Sequence, residues 1–282
     1  MNVRDIKLKA KSVLANRSNI VTVFVFISII TTLANYLGSE LGAVIPFVSL
    51  IVTIIILPFS HGNVVTALKT VNERGDEVSI EQDGVVGIRR FKELFGTYFI
   101  REVLLIVILL LIGLVMFVVA KFTVAGDAFS QLGVIFNEAL INSTDINMYL
   151  QDAAMMEALG TLGIVLIVGG LIMAIVAMFY TYIFALTPFV LEKYNLRGAK
   201  AMSESARLMK GHKGTLFMLY LSYLGWFVLT LVLSMVINMV LPIPLLLDAA
   251  VAALSTYLFG AELNTSLAVF FEEIDLEDKN KI

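Results

Sequence analysis

The chain has 282 residues, 59% of them hydrophobic and 15% charged, with a net charge of −3 and a mean hydropathy of +0.91. A soluble domain would be about half apolar with about a quarter of its residues charged, so the composition points to a polytopic membrane protein. There is no cysteine and the only histidines are His61 and His212, which excludes disulfides, thiol catalysis and Cys-ligated metals and leaves little from which to build a zinc or haem site. No cofactor is expected, and the near-neutral charge gives no sign of a nucleic-acid partner.

Residues 1–19 form a charged N-tail. Val3, Ile6, Ala10, Val13 and Leu14 recur at helical spacing, with Arg4, Lys7 and Lys11 facing away. The apolar run after it is too long for a cleavable signal peptide and no A-x-A-like site follows. Six apolar runs come next: Ile20 to Leu37, Ala43 to Phe59 with a helical continuation through His61 toward Val71, Val103 to Ala120, Leu159 to Leu191, Thr215 to Val240, and Ala249 to Phe271. Runs of this length read as transmembrane helices. Strands are disfavoured because lipid forbids open sheet edges and period-two alternation is absent. Gly170 and Ala174, and Ala249 and Ala253, are small-xxx-small pairs suited to close helix contact.

Charge sets the expected orientation. Every basic residue except Lys121 falls in the N-tail, between runs two and three, between runs four and five, or at the C-terminus. The positive-inside rule makes that side cytoplasmic. The expected fold is an all-α, six-span membrane bundle with both termini cytoplasmic and interfacial amphipathic helices on the cytoplasmic side. It forms one domain over 1–282, with an outer loop at 122–158 that carries a weak helical pattern from Phe129 to Leu140. An interfacial helix is expected at 195–211 and an acidic tail at 272–282.

Two further cytoplasmic segments share the design of the N-tail. Before run three, Ile88, Phe91, Phe95 and Tyr98 oppose Arg89, Arg90, Lys92 and Glu93. After run four, Ala199, Met202, Ala206 and Met209 oppose Lys200, Glu204 and Arg207, with Asn195 as the expected N-cap and Gly211 as the stop. Basic amphipathic helices lie in the membrane interface with their cations toward anionic head groups. Arg89, Arg90, Lys92, Lys200, Arg207, Lys210 and Lys213 are therefore the candidate contacts for anionic lipid head groups or for a membrane-protein partner, against the plainer reading that they only anchor topology.

Glu262, in the sixth run beside Asn264, is the candidate intramembrane polar site. A carboxylate at that depth must be protonated, paired or hydrated. It marks a cation-coupled pathway, or it sits at head-group level, or it locks helix packing by accepting hydrogen bonds from nearby Ser, Thr or Tyr. His61 is expected to be interfacial, and Trp226 to be packed in the core. No P-loop, catalytic triad or di-metal set can be assembled, and enzymatic activity is not expected.

The stretch AMSESARLMKGHKGTLFMLYLSYLGW, from Ala201 to Trp226, resembles a segment of the membrane-protein family called domain of unknown function 975. Glu204, Ser205, Leu208, Met209, Lys210, Gly211 and Lys213 match its pattern, as do Leu221, Ser222, Gly225 and Trp226. LPFSHG at Leu57 to Gly62 and RRFKELFGTYF at Arg89 to Phe99 are similar to further family segments. Pro242 and Tyr257 look like counterparts of others, while Ile243 stands where the family has Tyr and the outer loop is longer. The resemblance implies a bacterial multi-pass plasma-membrane protein and no particular reaction. The three basic amphipathic segments and the scant intramembrane polarity point to a non-enzymatic role in membrane or lipid organisation, or as a subunit of a membrane complex. The alternative is a small-solute or ion transporter working through Glu262.

Overall fold

The computed structural model describes residues 2–15, 17–123, 125–142, 153–240 and 244–280, and the regular elements among them are all helical. In chain order these are α1 (Val3–Leu14), α2 (Ser18–Val44), α3 (Pro46–Ile56), α4 (His61–Val71), α5 (Val86–Arg89), α6 (Phe91–Phe122), α7 (Gly126–Asn142), α8 (Ala153–Ile183), α9 (Thr187–Tyr194), α10 (Ala199–Leu208), α11 (Lys213–Leu221), α12 (Leu224–Val240), α13 (Pro244–Ser255) and α14 (Ala261–Lys279). Among the described residues, five helical stretches are long and apolar enough to cross a membrane: Ser18–Val44, Phe47–Val71, Phe91–Phe122, Met155–Tyr194 and Leu245–Lys279. A sixth is added if α11 and α12, bent by 45° at their junction, make one span. The chain divides into two compact units, Met1–Glu102 with Tyr182–Ile282, and Val103–Thr181.

In the first unit α14 is the hub. Ala261, Thr265, Ser266, Ala268, Val269, Phe270, Phe271, Ile274 and Asp275 are all buried, so it is covered on nearly every side by α1, α2, α4 and α10. α1 starts where the Asn2 side chain accepts a hydrogen bond from the Arg4 backbone N–H at 3.1 Å, as an N-cap should. Its apolar stripe is real, but Ile6 and Ala10 are wholly buried against protein. The same holds for α10, where Met202, Leu208 and Met209 are at most 4% exposed. Both helices dock on the protein core rather than laying these faces in lipid.

The boundaries of α10 also differ from expectation. Asn195 does not cap it. It terminates α9 in the left-handed conformation, φ 51°, and Gly198 at φ 58° precedes α10. Asn is favourable at both kinds of cap. The helix stops at Leu208, and Gly211, φ 89°, lies in the following turn. Residues 272–279, expected as part of a tail, are the last turns of α14. In the first turns of α6 the buried face is Leu94, Thr97 and Tyr98, whereas Ile88, in α5, is 51% exposed.

α2 and α3 form a helical hairpin. Pro46 opens α3 at a position whose N–H would have no helical partner. The two helices approach most closely at glycines spaced i, i+4. A Cβ on Gly38 would lie 2.6 Å from Val52 Cγ1, and one on Gly42 would lie 2.6 Å from Ser49 Cβ. Of the small pairs expected from sequence, Gly170 meets nothing within 4 Å.

The second unit consists of α7, α8 and the part of α6 beyond Glu102. Leu110, Leu114, Val115, Ile164, Leu166, Ile167 and Leu171 are each more than half exposed. Long helices that are apolar all round suit hydrocarbon, not water. α7 covers the weak helical pattern of the 122–158 loop, and residues 143–152 lie outside the described residues.

Candidate functional site

Two irregularities flank Glu262. The helix widens into a π-helical turn at Thr256–Gly260 immediately before α14, and α11 meets α12 at a bend centred on Ser222 and Tyr223. π-Turns inside helices gather at functional positions. Here both breaks converge on one polar cluster. Tyr223, 1% exposed, donates its O–H to Glu262 Oε1 at 2.9 Å and lies 3.1 Å from Ser266 Oγ. Lys7 Nζ sits 3.9 Å over the centre of the Tyr223 ring and reaches the Ser222 carbonyl at 3.4 Å. The Lys7 ammonium thus meets both the electron-rich ring face and a carbonyl at the bend. Asn264 does not join this cluster: its Nδ2 donates back to the Gly260 carbonyl at 2.9 Å, beside the π-turn.

Glu262 is half-buried and lines an open groove of about 680 Å³ with Arg4, Lys7, Lys11, Ser222, Trp226 and Leu258. Trp226 is not packed in the core. It is 40% exposed and stacks on Phe259 with ring centres 6.0 Å apart.

A second polar system joins α4, α6, α9 and α14. His61 is wholly buried within the protein. One ring nitrogen, Nδ1, lies 2.9 Å from the Tyr98 hydroxyl, and Nε2 lies 3.0 Å from Glu192 Oε2. Because a carboxylate only accepts, Nε2 carries the proton and, in the neutral ring, Nδ1 accepts from the Tyr98 O–H. Arg90 Nη1 donates to the same Glu192 oxygen at 2.8 Å. The next residue, Lys193, turns to the opposite partners: it pairs with Glu272, and with Asp275 at 2.7 Å. Asp275 also takes a hydrogen bond from Tyr194 O–H and pairs with Lys279 at 2.8 Å. Asn72 Nδ2 donates to Glu272 Oε1 at 3.2 Å. Adjacent Glu192 and Lys193 therefore pin α9 from two sides. A cavity of about 270 Å³ opens among Leu68, Lys69, Asn72, Glu192, Lys193 and Glu272.

The cations expected at the membrane surface fall into two sets. Arg90 and Arg207 are taken up by the fold. Burial opposes the charge on Arg90, but its hydrogen bonds to Glu192 and Glu93 outweigh that and raise its pKa. The pKa of Arg207 is raised by the hydrogen bonds it donates to Glu204 and then to Asp278, whose two oxygens it holds at 2.8 and 2.7 Å. Arg89, exposed, donates to the Gln82 carbonyl at 2.6 Å. By contrast Lys92, Lys200 and Lys210 are exposed and Lys213 half-buried, and none has an ion-pair partner among the described residues.

Glu192, Lys193, Tyr223 and Asp275 were not singled out from sequence, and Tyr98 was read only as part of an apolar stripe. The available signal was the i, i+3 spacing of Glu272 and Asp275, which puts two acids on one face of α14 next to the apolar run Leu267–Phe271.

Multiple apolar spans, an interior hub helix and buried ion pairs define a polytopic α-helical membrane protein. The chain belongs to the DUF975 family, proteins of unknown function, whose match covers residues 1–276. Comparisons with curated proteins and with solved structures find no match.

Proposed function

We propose that this chain is a non-enzymatic protein of a bacterial plasma membrane that engages anionic lipid through a basic cytoplasmic face. The observation that carries this reading is the division of its cations: Arg90, Lys193 and Arg207 are neutralised by acids of the fold, while Lys92, Lys200, Lys210 and Lys213 are left without acidic partners among the described residues. Each such cation near an anionic surface contributes on the order of 1 kcal/mol. The docking of α1 on α14 supports placing both termini on one side, and the positive-inside bias supports calling that side cytoplasmic. Ion relay through Glu262 has less support, because residues 249–261 of the same span carry no Asp, Glu, Lys, Arg or His.

Reconstitution into bilayers of mixed phosphatidylcholine and phosphatidylglycerol, followed by mass spectrometry of retained lipid, tests the reading. Phosphatidylglycerol should be enriched around the wild-type chain. The enrichment should fall when Lys92, Lys200, Lys210 and Lys213 are all changed to Gln. Equal retention by a folded quadruple variant would remove the basic face from the proposal.

A further inference from the structure

We infer that the groove beneath α1 is a binding site for a single anionic glycerophospholipid whose head group carries hydroxyls, a phosphoglycerol lipid. This inference rests on the lipid-engaging reading above and gives it a specific site.

The argument starts from the three cations of α1. Arg4, Lys7 and Lys11 follow one another at i, i+3, i+7 and so share one face. The adjoining face is fixed, because Ile6 and Ala10 are wholly buried against the core. α1 therefore cannot roll to turn the cations away from the groove. Facing them, Trp226 and Leu258 form an apolar floor, 40% and 45% exposed. One wall thus suits a phosphodiester and the floor suits acyl chain, in the order in which a lipid presents them.

Glu262 then selects among lipids. It is the groove's one acid among three cations. Its Oε1 accepts from Tyr223, and its other oxygen accepts no hydrogen bond among the described residues. A half-buried carboxylate lining the groove is available to accept from a head-group donor. A phosphoglycerol head group supplies one negative phosphate for the cations and hydroxyl donors for Glu262. Phosphatidic acid has the phosphate but lacks the head-group hydroxyls. Phosphatidylethanolamine and phosphatidylcholine carry a positive charge that the excess of cations disfavours. Lys7 is already held over the Tyr223 ring and at the Ser222 carbonyl, so Arg4 and Lys11 are the cations free to be tested without disturbing the bend.

The test uses the full chain in bilayers of phosphatidylcholine containing phosphatidylglycerol or phosphatidic acid, with retained lipid measured by mass spectrometry. Arg4→Gln and Lys11→Gln should each lower phosphatidylglycerol retention roughly fivefold in variants that elute as the wild type does. Glu262→Gln should erase the preference for phosphatidylglycerol over phosphatidic acid. Unchanged retention in Arg4→Gln/Lys11→Gln overturns the site. Loss confined to a Lys200/Lys210/Lys213→Gln variant also overturns the site but leaves the basic-face reading standing. Absence of any anionic preference in the wild type overturns both.

Discussion

Replacing Lys193 by Met should destabilise the protein through the two acids it leaves behind. The Glu272 and Asp275 side chains are 11% and 3% exposed, and the Lys193 side chain is 25% exposed. Removing one partner of a fully buried ion pair costs about 3–5 kcal/mol, because the remaining charge is stranded in a poor solvent. Two facts reduce that figure here. Lys193 is partly solvated, and each acid keeps another partner: Glu272 keeps Asn72, and Asp275 keeps Tyr194 and Lys279. A net cost of about 2 kcal/mol follows, which lowers the thermal midpoint by about 4–8 °C for a domain of this size. The assay is thermal unfolding in one fixed detergent, followed by the loss of the monodisperse elution peak. Adding Glu272→Gln should recover about half of the loss, since the stranded charge is then gone. A Lys193→Met midpoint equal to wild type, or a double variant that loses the sum of the two single losses, would refute the assignment.

Two further outcomes follow from other contacts. Gly38→Leu should cost about 1–3 kcal/mol by prising α3 off α2, read as a lower midpoint in the same assay, and Val52→Ala in that background should restore part of it, because Val52 Cγ1 is the atom nearest the added Cβ. Arg207→Gln should cost no more than about 1 kcal/mol, because its side chain is 52% exposed. The difference from wild type should vanish as salt is raised, whereas the Lys193→Met loss should persist; comparing midpoints at low and high ionic strength checks both.

The spans were legible because their length is set by the bilayer, a property that any uninterrupted apolar run reveals. The bend at Ser222 and Tyr223 was not. It carries no proline, and its stabilising groups come from far away in sequence: Lys7 at the Ser222 carbonyl and Glu262 at the Tyr223 hydroxyl. Periodicity identified the apolar stripes of α1 and α10 but could not say what covers them. An apolar face suits lipid and protein equally, and only the burial of Ile6, Met202 and Met209 decides the matter. Glu262 stood out as a charge within an apolar run, and its hydrogen bond to a tyrosine was among the outcomes foreseen. His61 offered no such clue, since its partners are Tyr98 and Glu192, 37 and 131 residues away.

The charged pairs that the sequence hid have a physical reason to exist. Inside lipid, apolar side chains gain little by meeting one another, because hydrocarbon solvates them equally well, so helix association must draw on close packing and polar contacts. The short helices α1 and α10 face this problem directly, since they are too brief to be held by spanning the membrane, and α9 forms only the last turns of the Met155–Tyr194 stretch. Close packing accounts for the α2–α3 hairpin, where two glycines admit the partner helix. Polar contacts account for α9, where consecutive Glu192 and Lys193 reach opposite ways, to His61 and Arg90 on one side and to Glu272 and Asp275 on the other. An ionic match fixes both the position and the rotation of such a helix, because a rotation that misaligns one residue of the dipeptide misaligns the other. The cations without acidic partners among the described residues, Arg4, Lys11, Lys200 and Lys210, have no comparable part in the fold, which is why their partners are sought in the lipid.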